Sequence, residues 1–195
     1  LNKLGNPQDN LKNVISVVGT NSKYSICQSL KAILNQAGHK CNLYLSPHLQ
    51  SYNERFVYND CEIKNEILIS LLEDVEKVLG DNPATLFEIL TCAYIKYCEE
   101  FKENITLIEA GLFHQFDSTN VFKKNIASII GSIGLDHLHW IKNKTIEGII
   151  HEKTVSLLNS NIFVNKQDDI KIKSKIENAL KNNNSKKYFF GKDFN

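Results

Sequence analysis

The sequence predicts an α/β fold, a mostly parallel sheet with helices on both faces, and two observations carry that prediction. Short runs of β-branched residues alternate along the chain with longer segments whose apolar residues recur at helical spacing. A strand, a crossover helix and a second strand make a parallel pair, so repeated alternation of this kind favours a parallel sheet covered by helices. The length of 195 residues is that of one compact domain.

The first strand candidate, residues 13–18, is an apolar run that ends at a glycine, as a buried parallel strand does. Residues 25–37 follow with apolar residues at helical spacing, and Gly38 stands where a C-terminal cap belongs. Residues 42–45 are a second strand candidate, which a serine and a proline end. An amphipathic helix is predicted at residues 63–79, where the sequence Gly-Asp-Asn-Pro stops it.

The same alternation continues to the end of the chain. A long helix is predicted at residues 86–101. Strands are predicted at residues 105–110, 126–133, 161–164 and 188–190, and helices at residues 145–158 and 170–180. Neither an internal repeat nor a linker interrupts this pattern, so the sequence predicts a single domain over residues 1–195.

Composition and charge exclude several classes of protein. An apolar share of 42% with 23% charged residues excludes a disordered tail, a collagen-like repeat and a disulfide miniprotein. The net charge of +1 gives no field that would attract nucleic acid, and no apolar run approaches the roughly 20 residues of a membrane helix. The five cysteines form no C-x-x-C pair, which favours reduced thiols. We therefore expect a cytoplasmic protein, a monomer, that binds neither nucleic acid nor membranes.

The segment between the first strand and the first helix, residues 19–25, has the placement of a phosphate-binding loop. Backbone N–H groups at the helix start can face an anion, Lys23 can reach the outer phosphates, and the Ser25 hydroxyl can ligate Mg²⁺. The pattern G-x-x-x-x-G-K-[ST] is not met, because Ser22 precedes the lysine and Tyr24 follows it. A plain turn with a surface lysine therefore stays open as the alternative.

Further segments follow in a fixed order around this loop. They are Leu4-Gly5-Asn6-Pro7-Gln8, Leu45-Ser46-Pro47-His48-Leu49, Asn53-Glu54-Arg55, Phe87-Glu88-Ile89-Leu90-Thr91, Glu109-Ala110-Gly111-Leu112, Asp117-Ser118-Thr119-Asn120, Ser132-Ile133-Gly134-Leu135-Asp136-His137 and Glu152-Lys153. Their order and spacing resemble the dihydrofolate synthase/folylpolyglutamate synthase family of Mur-ligase-like ligases. The Ser-Pro-His-Leu segment with the Asn-Glu-Arg after it is specific to the folate branch. The resemblance implies the P-loop NTPase-like central domain of a Mur ligase.

The resemblance also implies an ATP-dependent carbon–nitrogen ligase with ATP and Mg²⁺ as cofactors. Such an enzyme activates a carboxylate of dihydropteroate or a folate as an acyl phosphate, which the amine of L-glutamate then attacks. The protein supplies positioning and neutralises charge on the transferring phosphoryl group. Its expected partners are these small molecules alone.

The matching positions imply four groups of site residues. Catalytic roles are expected for Lys23, His137 and Lys153. Nucleotide contacts are expected at Gly19, Thr20, Asn21, Ser22, Lys23, Tyr24, Ser25 and Asn120. Metal ligands are expected at Ser25, Glu109, His137 and Lys153, the last of them as a carbamate. Contacts to the folate substrate are expected at Ser46, Pro47, His48, Asn53, Glu54, Arg55, Phe87, Thr91 and Asp117.

From the residues alone, simpler roles stay open for the candidate ligands. Glu109 is either a ligand at the end of a strand or a solvated loop carboxylate. His137 is either a ligand or a histidine that caps a helix or lies in the core. Lys153 is either a modified ligand or a lysine on a helix surface. Ligands of an open α/β sheet bind beyond the carboxyl ends of its strands, where Glu109 and His137 are predicted to lie.

Simpler roles stay open for the substrate candidates as well. Arg55 is the single arginine of the chain, so bidentate recognition of a carboxylate can come from it alone. The segment 46–55 is either a substrate loop or a surface hairpin that ends at residues 59–60. Phe87 and Thr91, one helical turn apart, could equally be core residues.

Four positions or segments near the expected chemistry depart from the family. Ser22 and Tyr24 replace the glycines on either side of the loop lysine, and a serine held in a left-handed conformation costs about 1–2 kcal/mol. Residues 113–115 are Phe-His-Gln where the family has Gly-Gly-Arg, which removes a cation beside the transferring phosphoryl group. Residues 154–156 are Thr-Val-Ser where the family usually has Ala-Gly-Ile.

These departures favour a second hypothesis, a catalytically decayed homologue or fragment that keeps the fold and binds nucleotide or folate weakly. The chain contains no methionine and begins at Leu1. Together with the resemblance, this predicts one ATP-binding domain truncated at both ends, without the C-terminal ligase domain. We therefore expect residues 1–195 to bind Mg·ATP poorly and to catalyse nothing alone.

Overall fold

An eight-stranded sheet formed by the described residues, 1–158 and 160–195, is the centre of this computed structural model. The strands are β1 (Val14–Val18), β2 (Cys41–Tyr44), β3 (Phe56–Tyr58), β4 (Cys61–Glu62), β5 (Ile105–Glu109), β6 (Ala127–Ile130), β7 (Asn161–Val164) and β8 (Lys186–Phe189). They lie in the order β4-β3-β2-β5-β1-β6-β7-β8, and only β2–β3 and β3–β4 pair antiparallel. The predicted mostly parallel sheet is confirmed.

Helices cover both faces of this sheet, as predicted. Those of the described ranges are α1 (Lys23–Gln36), α2 (Asn65–Leu79), α3 (Leu86–Cys98), α4 (Ile146–Thr154) and α5 (Ile170–Ala179). Because side chains alternate along a strand, Ile15 and Val17 of β1 point to one face, where they join the core beneath α1. Val14 and Val18 point to the other face, where α2 and α3 form one core cluster and α4 and α5 form another.

Most predicted elements differ from the observed ones by one to five residues at their ends, and three of these differences have a clear structural cause. Helix α1 begins two residues earlier than predicted, with the Ile26 N–H bonded to the Ser22 carbonyl at 2.9 Å. Helix α4 ends at Thr154 instead of residue 158, because the chain turns there and places Leu157 in the core. The strand predicted at residues 126–133 is limited to β6, because the chain leaves the sheet at Gly131 to contact the loop after β1.

The periodicity did not predict β3 and β4, a hairpin at one edge of the sheet. Its turn residues, Asn59 and Asp60, have φ of 49° and 72°, which matches the turns that join two antiparallel strands tightly. The observed hairpin runs from Phe56 to Glu62 and has its turn at residues 59–60. It follows the segment 46–55, so the alternative that this segment is itself a hairpin is wrong.

The parallel strands determine where a site can lie. Because β1, β5, β6 and β7 run in the same direction, the loops that follow them gather at one edge of the sheet. Strand β1 lies between β5 and β6, so the loop after it is central to that edge. Within the described ranges, no helix has both the length and the apolar character that a membrane crossing needs.

Candidate functional site

The loop between β1 and α1, residues 19–22, is held against the segment that follows β6. The Thr20 and Asn21 N–H groups donate to the Ser132 carbonyl at 2.9 and 3.3 Å. A Cβ atom on Gly131 would lie 2.8 Å from the Ser22 Oγ, so only glycine permits this approach without a shift. The turn at Ser22 is left-handed, with φ 67° and ψ −3°, the conformation that carries the strain anticipated for serine.

Lys23 begins helix α1 and folds back over this loop. Its Nζ atom donates to the carbonyls of Gly19 and Thr20, both at 3.2 Å. The Tyr24 side chain points to solvent and is about half exposed. Lys23 therefore lies over the loop, with backbone carbonyls as its acceptors.

Lys153 lies inside the protein, although it sits on helix α4. It is 3% exposed, and its Nζ donates to the carbonyls of Gly19 and Leu112, both at 2.8 Å. Burial, and next the charge of Lys23, lower the pKa of Lys153 to about 7. The alternative of a lysine on the helix surface is therefore wrong.

Glu109 is the last residue of β5 and is 3% exposed. Its Oε2 accepts the Ser46 N–H at 2.9 Å. Burial raises the pKa of this carboxyl, and the Ser46 N–H and the charge of Lys23 partly offset the rise. The alternative of a solvated loop carboxylate is therefore wrong.

His137 lies in the loop after β6, with φ 52° and a side chain about half exposed. Its Nε2 is 3.4 Å from the Asp136 Oδ2, and its own N–H donates to the Asp136 Oδ1 at 2.7 Å. The imidazole forms no hydrogen bond that would cap the short helix after it, and it is not in the core.

An inner cavity of about 20 Å³ brings several of these residues together. Its lining is Gly19, Thr20, Lys23, Gly111, Leu112, Phe113, Asp136, His137 and Lys153. The three residues predicted to be catalytic thus share one cavity with the loop after β1. Two predicted ligands do not line it. Ser25, in the first turn of α1, is exposed and borders a groove beside Ile26, and Glu109 lies deeper at the end of β5.

The segment 46–55 forms an aromatic and cationic cluster. Arg55 Nε donates to His48 Nδ1 at 2.8 Å, and the guanidinium carbon lies 5.7 Å from the centre of the Tyr52 ring. Glu54 accepts three backbone N–H groups of residues 49–51 at 2.7–2.9 Å, which lower the pKa of its carboxyl. Asn53 donates to the Ile63 carbonyl at 2.8 Å. The predicted substrate contacts Asn53 and Glu54 therefore shape the loop here, while His48 and Arg55 form its surface.

Three other residues predicted to contact the substrate have side chains that contact other residues of the protein. The Thr91 hydroxyl lies 3.1 Å from the Tyr44 hydroxyl and 2.8 Å from the Ser118 hydroxyl. The Phe87 ring stacks on Tyr44, with 5.8 Å between centroids. Asp117 accepts the N–H groups of Leu112 and Thr119 at 3.1 and 3.0 Å. The core role left open for Thr91 is the one observed, and Asp117 orders the loop after β5.

Asn120, expected at the nucleotide, lies in the same loop and donates to the Gln115 carbonyl at 3.3 Å. Its amide does not reach residues 19–25. The side chains of Asp117 and Asn120 therefore both form hydrogen bonds within the loop after β5.

Phe113 and His114 were assigned no role from the sequence, and the structure places them beside the inner cavity. The Lys153 Nζ lies 5.1 Å from the centre of the Phe113 ring. His114 is 1% exposed, and its Nδ1 lies 2.8 Å from the Ser156 Oγ. Burial lowers the pKa of His114 to about 4. One feature of the sequence could have indicated this contact: residues 113–115 and 154–156 both depart from the family. In the structure these two segments touch through His114 and Ser156.

The chain is similar in sequence to several known proteins. No family profile matches the chain. The dihydrofolate synthase/folylpolyglutamate synthase of Escherichia coli is 33% identical over 128 residues, which are 66% of this chain and 30% of that protein. The Bacillus subtilis protein of the same name is 34% identical over 159 residues, 77% of this chain and 36% of that one. The chain thus spans about a third of the length of these relatives.

Solved structures agree over almost the whole chain. Escherichia coli FolC in complex with ADP has a TM-score of 0.87 at 26% identity, and the match covers 98% of this chain and 45% of that one. FolC in complex with DHPP and ADP gives a TM-score of 0.86 with the same coverage. The Yersinia pestis bifunctional synthase complexed with AMPPNP and Mn gives 0.84 at 26% identity, over 96% of this chain and 45% of that one.

Proposed function

The chain belongs to the dihydrofolate synthase/folylpolyglutamate synthase family, and we propose that it is the ATP-binding domain of a ligase that joins L-glutamate to dihydropteroate or a folate. The observation that carries this proposal is the pair of lysines at the end of β1. Lys23 and Lys153 come from distant parts of the chain, and both donate to the Gly19 carbonyl. Two lysine side chains at the central edge of a parallel sheet, Lys23 as the partly exposed cation and Lys153 buried beneath it, suit a site for the phosphates of a nucleotide.

The residues present fit a nucleotide with a divalent cation. Glu109 is a buried carboxylate that takes part in none of the ion pairs among the described residues, and a bound cation would supply its missing charge. His137, at the same edge, adds an imidazole. When bound, Mg²⁺ would neutralise charge on the phosphates. We propose Glu109 and His137 as ligands of this Mg²⁺ ion, since their positions support that role best. Ser25 and carbamylated Lys153 are proposed as the remaining ligands.

Lys23 acts on the transferring phosphoryl group in this proposal. Its ammonium would exchange the carbonyls of Gly19 and Thr20 for phosphate oxygens, which are stronger acceptors because they are charged. Lys153 stays fixed beneath it. A pKa of about 7 leaves much of its amine neutral at neutral pH, the form that adds to carbon dioxide and releases a proton to give a carbamate.

Replacing Lys23 with methionine tests the proposed function. The change removes a charge-assisted hydrogen bond to phosphate worth about 1.5–3 kcal/mol, so we expect Mg·ATP affinity to fall about tenfold to a hundredfold. Titration calorimetry of the purified chain measures it. Lys31→Met, two turns along the same helix and bonded to the Asp60 carbonyl, is the matched control and should leave affinity unchanged. Equal affinities for Lys23→Met and the parent chain would contradict the role of the loop.

Replacing Ser22 with glycine should tighten Mg·ATP binding about fivefold, the equivalent of about 1 kcal/mol. Glycine adopts the left-handed turn without strain and removes a hydroxyl from the concave side of the loop. Asn59→Gly is the control, because Asn59 has φ 49° in a turn remote from the loop. Both variants should raise the unfolding midpoint, but only Ser22→Gly should change the dissociation constant by calorimetry. An unchanged constant would remove the loop from phosphate binding.

The chain is also proposed to act in the cytoplasm as a monomer. All five cysteines are free thiols, and three of them, Cys27, Cys41 and Cys98, are buried. Unpaired buried thiols are typical of proteins kept in a reducing compartment. Sedimentation of the purified chain tests the monomer.

A further inference from the structure

Phe113 separates two spaces at the edge of the sheet. On one side is the inner cavity of about 20 Å³, which has room for about one water molecule and not for a phosphoryl group. On the other side is a wider space of about 310 Å³, here called the outer groove, whose lining includes Phe113, Phe116, Trp140 and Glu152. The Phe113 ring therefore forms a wall between the space that a phosphate needs and an open space next to it.

The ring is held in this position by Lys153 and by the core cluster beneath α4 and α5, against which it packs. Its face lies 5.1 Å from the Lys153 ammonium, within the range of a cation–π contact. The Lys153 Nζ also donates to the carbonyl of Leu112, the residue before it. Two of the three N–H groups of the ammonium donate to carbonyls, so an anion that binds Lys153 would compete with the ring for the remaining one.

The residue after the ring is tied to the end of helix α4 by what we call the latch, formed by His114, Glu152 and Ser156. The His114 N–H and the Gln115 N–H donate to the Glu152 carbonyl at 3.3 and 3.2 Å. The His114 ring is 1% exposed and lies 2.8 Å from the Ser156 Oγ. The latch fixes the backbone on one side of Phe113, and Asp117 fixes Leu112 on the other. Rotation of the Phe113 side chain would leave these backbone bonds intact.

We propose that, while Lys153 is unmodified, Phe113 is a gate on the inner cavity, closed while its ring covers the Lys153 ammonium and open when the ring turns into the outer groove beside Trp140. This rests on the proposed function, because the ligand that opens the gate is the terminal phosphoryl group of a nucleotide. The latch sets the resting position. A gate that is closed in about nine molecules of ten lowers the apparent affinity about tenfold, since only the open form binds. The bulk of residue 113 thus becomes a control on affinity instead of a sign of decay.

Calorimetry with Mg·ATP on three variants tests the gate. Phe113→Ala removes the ring, and we expect affinity to rise about tenfold. Ser156→Ala removes a latch hydrogen bond that the closed and open forms share, so it should leave affinity unchanged. Phe116→Ala is the matched control. Phe116 lines the outer groove but not the inner cavity, so its loss should leave affinity unchanged.

The single tryptophan reports the movement itself. Trp140 lines the outer groove with Phe113, so entry of the ring should change its emission when Mg·ATP binds the parent chain. That change should be lost in Phe113→Ala, which binds but has no ring to move. Binding by the parent chain without a change in emission would overturn the gate.

Failure of the gate and failure of the proposed function give different results. Equal affinities of Phe113→Ala and the parent chain would overturn the gate and leave nucleotide binding intact. Absence of Mg·ATP binding in both proteins at millimolar nucleotide would overturn the proposed function, and the gate with it. A rise in affinity with Phe116→Ala as large as that with Phe113→Ala would also overturn the gate, because it would assign the effect to the outer groove.

Discussion

Acidification from about pH 7 to about pH 4 is expected to cost the fold about 3 kcal/mol through His114 alone. In the unfolded chain this histidine takes up its proton near pH 6.5, whereas in the folded protein it stays neutral until about pH 4. Between these values the unfolded state binds more protons, so stability falls as the pH falls. Below about pH 4 the two states bind equally and the loss stops.

The cause of the shift is the position of His114 between the loop after β5 and helix α4. Burial disfavours the charged imidazole most, Asp117 opposes that effect, and the ammonium of Lys153 adds to it. The ring nitrogen that faces Ser156 has a hydroxyl as its partner, and a hydroxyl suits the neutral ring. Among the described residues, no carboxylate contacts the ring to stabilise an imidazolium here.

Urea unfolding at about pH 7 and about pH 4.5 measures the loss. His114→Asn should lose less stability on acidification than the parent chain, by about 2–3 kcal/mol, because the carboxylates that titrate in both proteins cancel. His39→Asn changes an exposed histidine and serves as the control. The same acid-induced loss in His114→Asn as in the parent chain would show that His114 does not carry the effect.

The second large effect is expected at Gly148, in the first turns of helix α4. A Cβ atom there would overlap the carbonyl oxygen of Asn143, a backbone atom that cannot turn away. Alanine would gain up to about 1 kcal/mol of helix propensity but would force the segments apart, an overpacking that costs about 3 kcal/mol. We therefore expect Gly148→Ala to lower the free energy of unfolding by about 2 kcal/mol or more.

Gly134→Ala is the matched control for this substitution. A Cβ atom on Gly134 would have no heavy atom within 4 Å, and the residue has no left-handed φ, so alanine should be neutral or slightly stabilising there. Denaturant midpoints of the two variants make the comparison. Similar midpoints would mean that α4 tolerates a shift away from residue 143, and nucleotide affinity would then report whether Lys153 moves with it.

The sequence predicted most of the fold because its long elements carry clear periodicity. Residues 63–79 and 161–164 were placed within two residues of α2 and β7. The hairpin of β3 and β4 was missed because strands of three and two residues are too short to show alternation. Its turn depends on left-handed conformations at Asn59 and Asp60, which tertiary contacts select.

The sequence predicted those features of the site that depend on neighbouring residues in the chain. It did not predict those that depend on contacts between residues far apart in the chain. The strain at Ser22 follows from the loop sequence and was anticipated. The burial of Lys153 was not, because its acceptors are carbonyls 134 and 41 residues away in the chain. The contact of His114 with Ser156 joins residues 42 apart and needed the packed structure. Likewise, the exposure of Ser25 depends on where helix α1 begins.

The carbonyl shared by Lys23 and Lys153 has a consequence for which ligands the edge of the sheet can select. Both lysines donate to the Gly19 carbonyl, their other acceptors are the carbonyls of Thr20 and Leu112, and neither forms an ion pair among the described residues, so backbone dipoles alone compensate their charge. A singly charged anion would neutralise the positive charge of one lysine, whereas a polyanion would neutralise the charge of both. If this edge of the sheet binds nucleotide as proposed, we expect it to discriminate by ligand charge before shape and to favour di- and triphosphates over monovalent ions.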